Sequence, residues 1–230
     1  MIGWCWILSY KKQRVEFEDL SPEDREIHLS QKREALLQSH RDLVATLNDY
    51  VSVAKESEDP EELKLAASYL SWLLNKTDKI KEEKTFVVDS EKMPRRGEVF
   101  WMDFGFNVGR EFGGRHPAVI LKCSGGMVIV LPLSTQEPYP DQLKSGIYVE
   151  VDYVRNFKNC RRWVNVLNVV PLSIQRVDFS SNSGHINGYV LDRINESLTK
   201  SLIGGRKKKP NSPTKSKSPS KKEGEKATGK

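Results

Sequence analysis

Four side chains able to move a proton or hold a phosphate stand within seven positions of this chain: Arg110, Glu111, Arg115 and His116. The two guanidinium groups can neutralise a phosphodiester. The carboxylate and the imidazole can carry a proton to and from it, and histidine's ordinary pKa of about 6.5 suits both directions near neutrality. A hairpin tip with ordinary solvated charges has the same composition, so spacing alone leaves both readings open. A second candidate lies downstream, where the apolar run Met127-Val-Ile-Val-Leu-Pro-Leu ends in Ser134-Thr135. A hydroxyl there can donate to a phosphate oxygen or close a turn. Asp103 ends an earlier apolar run and can contact a substrate or cap the loop behind it. Glu111 can serve as a general base or pair with Arg110 or Arg115. The cluster Arg155, Lys158, Arg161 and Arg162, interleaved with Phe157 and Trp163, has the cationic and aromatic character of a groove for single-stranded RNA. His185, in a Ser/Asn/Gly-rich stretch, reads as a loop residue.

Short β-type runs must position these groups: Glu98–Phe104, Ala118–Lys122, Met127–Leu133, Tyr148–Val151 and Trp163–Leu167. Turn residues separate them at Gly113-Gly114, Gly125-Gly126 and Ser145-Gly146. Regularly spaced short strands argue for a small antiparallel barrel. A closing helix carries Leu191, Ile194, Leu198 and Leu202 and stops at Gly204-Gly205. Before the barrel, Ser21-Pro22-Glu23-Asp24 and Asp59-Pro60-Glu61-Glu62 each have the chemistry of a helix start. Leu29, Leu36, Leu43 and Tyr50 recur every seven residues, a narrow stripe interrupted by Arg33 and His40. The expected class is therefore α+β, and five segments follow: an N-terminal stretch 1–20, a helical hairpin 21–84, a linker 85–93, the barrel domain 94–203 and a basic tail 204–230. The tail, rich in Lys, Ser, Pro and Gly, has too little apolar surface to offset its ordering entropy and is expected to be disordered.

The stretch Arg96-Gly97-Glu98-Val99-Phe100-Trp101, followed by Gly113-Gly114-Arg115-His116-Pro117-Ala118-Val119-Ile120, resembles the opening hairpin of MazF/PemK toxins. Met127 to Thr135 is similar to that family's third strand, and the run from Trp163 to Leu172 and the closing helix follow in the expected order. The resemblance covers residues 94–203. It implies an SH3-like barrel that acts as a homodimer, with no metal or cofactor, on single-stranded RNA such as mRNA. It implies cleavage to a 2′,3′-cyclic phosphate and a 5′-hydroxyl end, restrained by a cognate antitoxin through which DNA is also contacted. The family places an Arg directly before the Pro of the second strand and a Ser/Thr at the end of the third. Ser134 fits the latter, with Thr135 beside it. The former position holds His116, and the arginine stands one residue earlier at Arg115. A one-residue shift in a strand turns a side chain to the other face. Either His116 takes the acid–base role, or the loop lets Arg115 swing in, or catalysis is lost and the domain only binds. Catalytic candidates are thus His116, Arg115, Ser134 and Glu111. RNA-binding candidates are Arg110, Asp103, Thr135, Arg155, Lys158, Arg161 and Arg162.

Charge divides the chain as sharply as pattern does. Residues 1–93 hold 14 basic and 19 acidic side chains, net −5; residues 94–203 hold 13 and 10, net +3; residues 204–230 hold 10 and 2, net +8. A basic barrel and tail suit a polyanionic partner. Three cysteines, none in a CxxC pair, fit a reducing compartment and argue against a disulfide framework or a zinc site. The apolar N-terminal stretch of about ten residues is short of the roughly 20 that a membrane span needs, so a cytoplasmic protein is expected. Walker, dinucleotide GxGxxG, HExxH, GxSxG and EF-hand patterns are absent from the sequence, which removes the corresponding enzyme classes. The acidic hairpin has two roles open to it, self-association or shielding of the basic barrel. Shielding predicts that deleting residues 1–90 raises RNA cleavage; unchanged or lower cleavage refutes it.

Overall fold

The structure is a computed structural model, and it describes residues 17–204. The N-terminal apolar stretch up to residue 16, Cys5 with it, and the basic tail from Gly205 lie outside the described residues. The chain forms two compact units that divide between Lys84 and Thr85.

The first unit is a helical hairpin. Helix α1 (Pro22–Ala54) starts where Ser21 Oγ accepts the Asp24 N–H at 3.1 Å. Helix α2 (Pro60–Glu82) starts where Asp59 Oδ1 accepts the Glu61 N–H at 2.9 Å. In both, a side chain satisfies an N–H the helix leaves unpaired, and proline at the first position removes another. The two helices meet around Tyr50 and Tyr69, whose rings contact edge to face at 5.3 Å. The seven-residue stripe is only partly used as a seam: Leu47 and Ala54 are half-buried, whereas Leu29, Leu36 and Leu43 are exposed. Neither helix is long and apolar enough to cross a membrane.

The second unit is built on an antiparallel sheet with two buried faces. Strands β1 (Glu98–Asp103), β2 (Arg115–Ser124) and β3 (Met127–Pro132) lie side by side. β1 pairs β2 with Val99 opposite Val119 and Asp103 opposite Arg115. β2 pairs β3 with Ala118 opposite Pro132, and a register shift occurs between Ile120 and Lys122. A helical turn α3 (Pro140–Lys144) leads to β4 (Tyr148–Val151) and β5 (Arg162–Asn165). After these come β6 (Val170–Ser173), β7 (Gly184–His185) and helix α4 (Gly188–Leu198). The large sheet has the order β6-β3-β2-β1-β7, and β4 and β5 form a separate pair.

Side chains alternate along a strand, so each strand of the central three feeds two cores. Val99, Val119, Leu131 and Leu133 face Val149, Val164 and α4 residues Val190 and Ile194. Phe100, Met102, Ala118, Ile120, Val128 and Val130 face Ile174, Val177 and Phe104. This double burial is why the runs at 118–121 and 130–133 read as unbroken apolar stretches.

The expected barrel is not one continuous closed ladder. Two isolated bridges, Ser134 with Trp163 and Arg155 with His185, join the β4–β5 pair to the large sheet. His185 lies in β7, opposite Glu98, rather than in a loop. Cys123 and Cys160 are free thiols. Leu131 is fully buried on the first face, so Leu131→Ala is expected to cost about 2–5 kcal/mol of unfolding free energy, measured by chemical denaturation.

Candidate functional site

Phe104 to Gly114 forms a closed loop between β1 and β2. The Phe104 N–H donates to Gly114 O at 2.9 Å and the Gly114 N–H to Gly105 O at 2.7 Å. A Cβ on Gly113 would stand 2.8 Å from Gly105 O, and Gly114 has φ +81°, so glycine is needed at both. Asp103 is spent on this turn: its Oδ1 accepts the Gly105 N–H at 2.9 Å, and its carbonyl accepts from Arg176 Nη1 at 3.2 Å.

β2 begins at Arg115, so alternation sends Arg115 and His116 to opposite faces. The Arg115 guanidinium lies 4.8 Å from the Trp101 ring centroid and donates to Asp178 Oδ2 at 2.5 Å and Ser181 Oγ at 3.3 Å. Asp178 also accepts from the hydroxyl and N–H of both Ser180 and Ser181. These serine bonds, with Arg115 adding to them, hold its carboxyl well below the usual range. Arg115 is thereby fixed on the face away from His116.

His116 is half-buried, its ring 4.7 Å from that of Phe112, which packs in turn on Phe104 at 5.2 Å. Burial lowers its pKa from 6.5, so at neutral pH the imidazole is a neutral proton acceptor. The Leu133 N–H donates to Pro117 O at 2.8 Å. That bond carries the Ala118–Pro132 register one pair further, to Pro117 and Leu133, beyond which Ser134 bridges to Trp163. Ser134 Oγ accepts the Gln136 N–H at 3.0 Å and so closes a turn, while its proton is available to donate. Its backbone exchanges hydrogen bonds with Trp163 at 2.9 and 2.8 Å.

Ser134 lines a hollow of about 230 Å³ with Phe112, Trp163, Tyr139, Asn165 and Asn168. A larger hollow of about 700 Å³ adjoins it, lined by Arg110, Glu111, Arg176, Phe112 and Asn168 among others. Phe112 and Asn168 belong to both, so the two make one groove, aromatic and amide-rich at one end and cationic at the other. Arg110 and Glu111, both exposed, line the larger hollow, and Thr135, next to Ser134, is exposed.

The basic cluster behaves differently. Arg162 is buried and donates to the carbonyls of Cys160 and Lys158 at 3.1 and 2.9 Å, so it organises its own loop rather than facing a ligand. Arg161 pairs with Glu150 at 2.6 Å and lies over the Trp163 ring at 5.5 Å, which leaves it beside the smaller hollow. Arg155 gives its N–H to His185 O, and Lys158 is exposed. Five of these groove residues escaped the sequence reading: Phe112, Tyr139, Asn165, Asn168 and Arg176. Only Phe112 carried a signal, as the one apolar residue between the charges of the loop and Gly113.

Residues 95–202 match a family model described as "PemK-like, MazF-like toxin of type II toxin-antitoxin system". Residues 95–202 form a PemK/MazF-family domain. Two solved structures are similar to it. MazF (Form-I) from Deinococcus radiodurans is 21% identical, with 49% of this chain and 98% of that one covered and a TM-score of 0.38. MazE–MazF (Form-II) from the same organism is 22% identical, with 49% and 96% covered and a TM-score of 0.35. The search of curated proteins found no match. The toxin domain has histidine where the family's arginine precedes the strand-two proline, and the nearest arginine is tied to Asp178.

That ion pair has a measurable signature. Because the Asp178 carboxyl titrates below its unfolded value, the stability it adds is present above about pH 3.9 and fades as pH falls through the lowered folded value. Asp178→Asn is expected to cost roughly 1 kcal/mol at neutral pH, given the partial exposure of the pair, and the gap to wild type should narrow steadily as denaturation is measured at successively lower pH below about 3.9.

Proposed function

We propose that the toxin domain is a metal-independent endoribonuclease that cleaves single-stranded RNA to 2′,3′-cyclic phosphate and 5′-hydroxyl ends. The supporting observation is a half-buried His116 packed on Phe112, a residue that lines both hollows, with Ser134 in the wall of the smaller one and Arg110 and Arg176 in the wall of the larger. In this reading His116 accepts the proton of the ribose 2′-hydroxyl. The 2′-oxygen bonds to phosphorus as the bond to the 5′-oxygen breaks, and the leaving oxygen takes a proton. Water in the open groove supplies that proton, and Glu111, exposed on the groove, is the alternative general base. Ser134 donates to a phosphoryl oxygen, and Arg110 and Arg176 balance the charge that gathers on the phosphorane. Tyr139, Trp163 and the amides of Asn165 and Asn168 receive an unpaired base. The partner is an antitoxin protein that covers the groove, and DNA is reached through that complex. The active toxin is a cytoplasmic homodimer.

A binding-only reading has one observation in its favour: the arginine nearest the family position is held by Asp178 on the far face. RNA incubated with the protein and EDTA separates the two. Fragments with 5′-hydroxyl ends support the nuclease; binding without fragments supports the other reading.

For the nuclease, His116→Ala is expected to lower the cleavage rate about 10²–10⁴-fold, while Arg115→Ala stays within a few-fold of wild type. Loss of cleavage in Arg115→Ala with retention in His116→Ala would reverse the assignment. The general base must be neutral, so the rate should fall on the acid side with an apparent pKa below 6.5. That limb should vanish from the residual activity of His116→Ala in a pH–rate profile.

A further inference from the structure

Hydrogen-bond direction sets the smaller hollow apart from an ordinary polar surface. Three of the polar side chains in its wall give their acceptor oxygen to a backbone N–H: Ser134 Oγ to that of Gln136 at 3.0 Å, Gln142 Oε1 to that of Tyr139 at 2.9 Å, and Asn165 Oδ1 to that of Leu167 at 3.0 Å. A backbone N–H can only donate, so these contacts fix which way round each amide stands. The Gln142 amide is left with its Nε2 protons. Asn165 turns its Nδ2 to Tyr148 and donates to Oη at 3.3 Å. Tyr148 Oη is thereby used as an acceptor, and its own proton is left to give. Among the described residues no acceptor takes the protons of Ser134 Oγ, Gln142 Nε2 or Tyr148 Oη. Donors therefore line the hollow from three elements: the turn after β3, the helical turn α3 and strand β4.

Such a lining is complementary to acceptors, and the rest of the wall narrows the kind. Phe112, Tyr139 and Trp163 supply rings against which a planar group can lie. Among the described residues no Lys or Arg lines this hollow and Glu137 does, so an anion filling it is repelled. A neutral ring bearing carbonyl groups fits. Of the four RNA bases, uracil answers a donor lining best, since it has two carbonyl acceptors and a single N–H. Cytosine and adenine each bring an exocyclic amine, and guanine brings an amine as well as its ring N–H. An amine that meets a donor gives up its water and gains no partner.

We propose that the smaller hollow selects a uracil base, with Gln142 Nε2 and the Tyr148 hydroxyl donating to its carbonyl oxygens. Ser134 is engaged with the phosphate in the reaction described above, which leaves these two for the base. Asn165 acts through Tyr148, by holding its oxygen and so aiming its proton. The uracil N–H goes to Glu137, or to Gln136 or Asn168, whose amides no hydrogen bond among the described residues holds to one orientation. The assignment rests on the reading of the groove as an RNA site, names the nucleotide it takes, and holds whether or not the strand is then cut.

The test measures binding and cutting separately on the full chain. Fluorescence anisotropy is read with short single strands in all-2′-deoxy form, identical except for one central base, so that attack by a 2′-hydroxyl cannot cut them. The strand with uracil is expected to bind wild type about tenfold tighter than the strand with cytosine, adenine or guanine. Gln142→Glu keeps the cap on α3, because a carboxylate oxygen accepts the Tyr139 N–H equally well, and puts an acceptor where the amide put donors. It should abolish the uracil preference or turn it toward cytosine. Tyr148→Phe should shrink the preference by weakening the uracil strand more than the others. Equal affinity for all four strands in wild type, a uracil preference that both substitutions leave untouched, or no binding of any strand would overturn the assignment. The matching RNA strands, examined for 5′-hydroxyl ends, test the nuclease apart from it. Uracil preference without cutting removes the nuclease reading and keeps this one; cutting without base preference does the reverse.

Discussion

Alternation along β2 governs this site. Its core residues Val119 and Ile120 commit successive side chains to two separate apolar interiors, and that commitment extends backward without slack to the first residues of the strand. His116 inherits the face of Ala118 and Ile120, and Arg115 the face of Pro117 and Val119. Moving either to the other side would mean turning a buried core inside out, at a cost of many kcal/mol against an overall stability of about 5–15 kcal/mol. The loop before β2 cannot offer an escape, because the backbone bonds at Phe104 and Gly114 fasten it. Asp178 and its serines then give Arg115 a place to rest, with Trp101 beneath it.

The same rigidity serves the opposite face. Ser134 is tied by its backbone to Trp163 on one side and, through the neighbouring Leu133, to Pro117 on the other. Phe112 wedges between Phe104 and His116 and fixes the imidazole while drying one side of it. Groups held by strands and packed rings approach the tolerance that acid–base chemistry asks for more closely than groups on free loops do. The cationic end of the groove is softer: Arg110 and Glu111 are exposed on the loop, while Arg176 is anchored through the Asp103 carbonyl.

Much of this was legible in the residues. Both helix starts were written in Ser21-Pro22 and Asp59-Pro60, and the central strands in their apolar runs, because these signals are local. The one-residue displacement of arginine from Pro117 was also visible, and it carried the question of faces with it. Strands β6 and β7 and the turn α3 were not legible; they have two to five residues and owe their form to neighbours rather than to pattern. Asn168 and Arg176 reach the groove from turns far along the chain, and no spacing rule announces that. Arg162 was misread for a related reason. A run of basic residues shows that cations are near, but which guanidinium folds inward onto carbonyls depends on the loop's path. The seven-residue stripe of α1 promised a seam, and Leu29, Leu36 and Leu43 in it stay exposed among the described residues.

A strand that cannot slip makes chain length, rather than residue type, the lever on this groove. Removing the single residue 116 would draw Arg115 up against Pro117 while the cores at Val119 and Ile120 stay in place. The guanidinium would then leave Asp178 and turn to the face that His116 now occupies. Losing that one codon would exchange an imidazole for an arginine on this face, with the fastened loop before β2 taking up the missing residue.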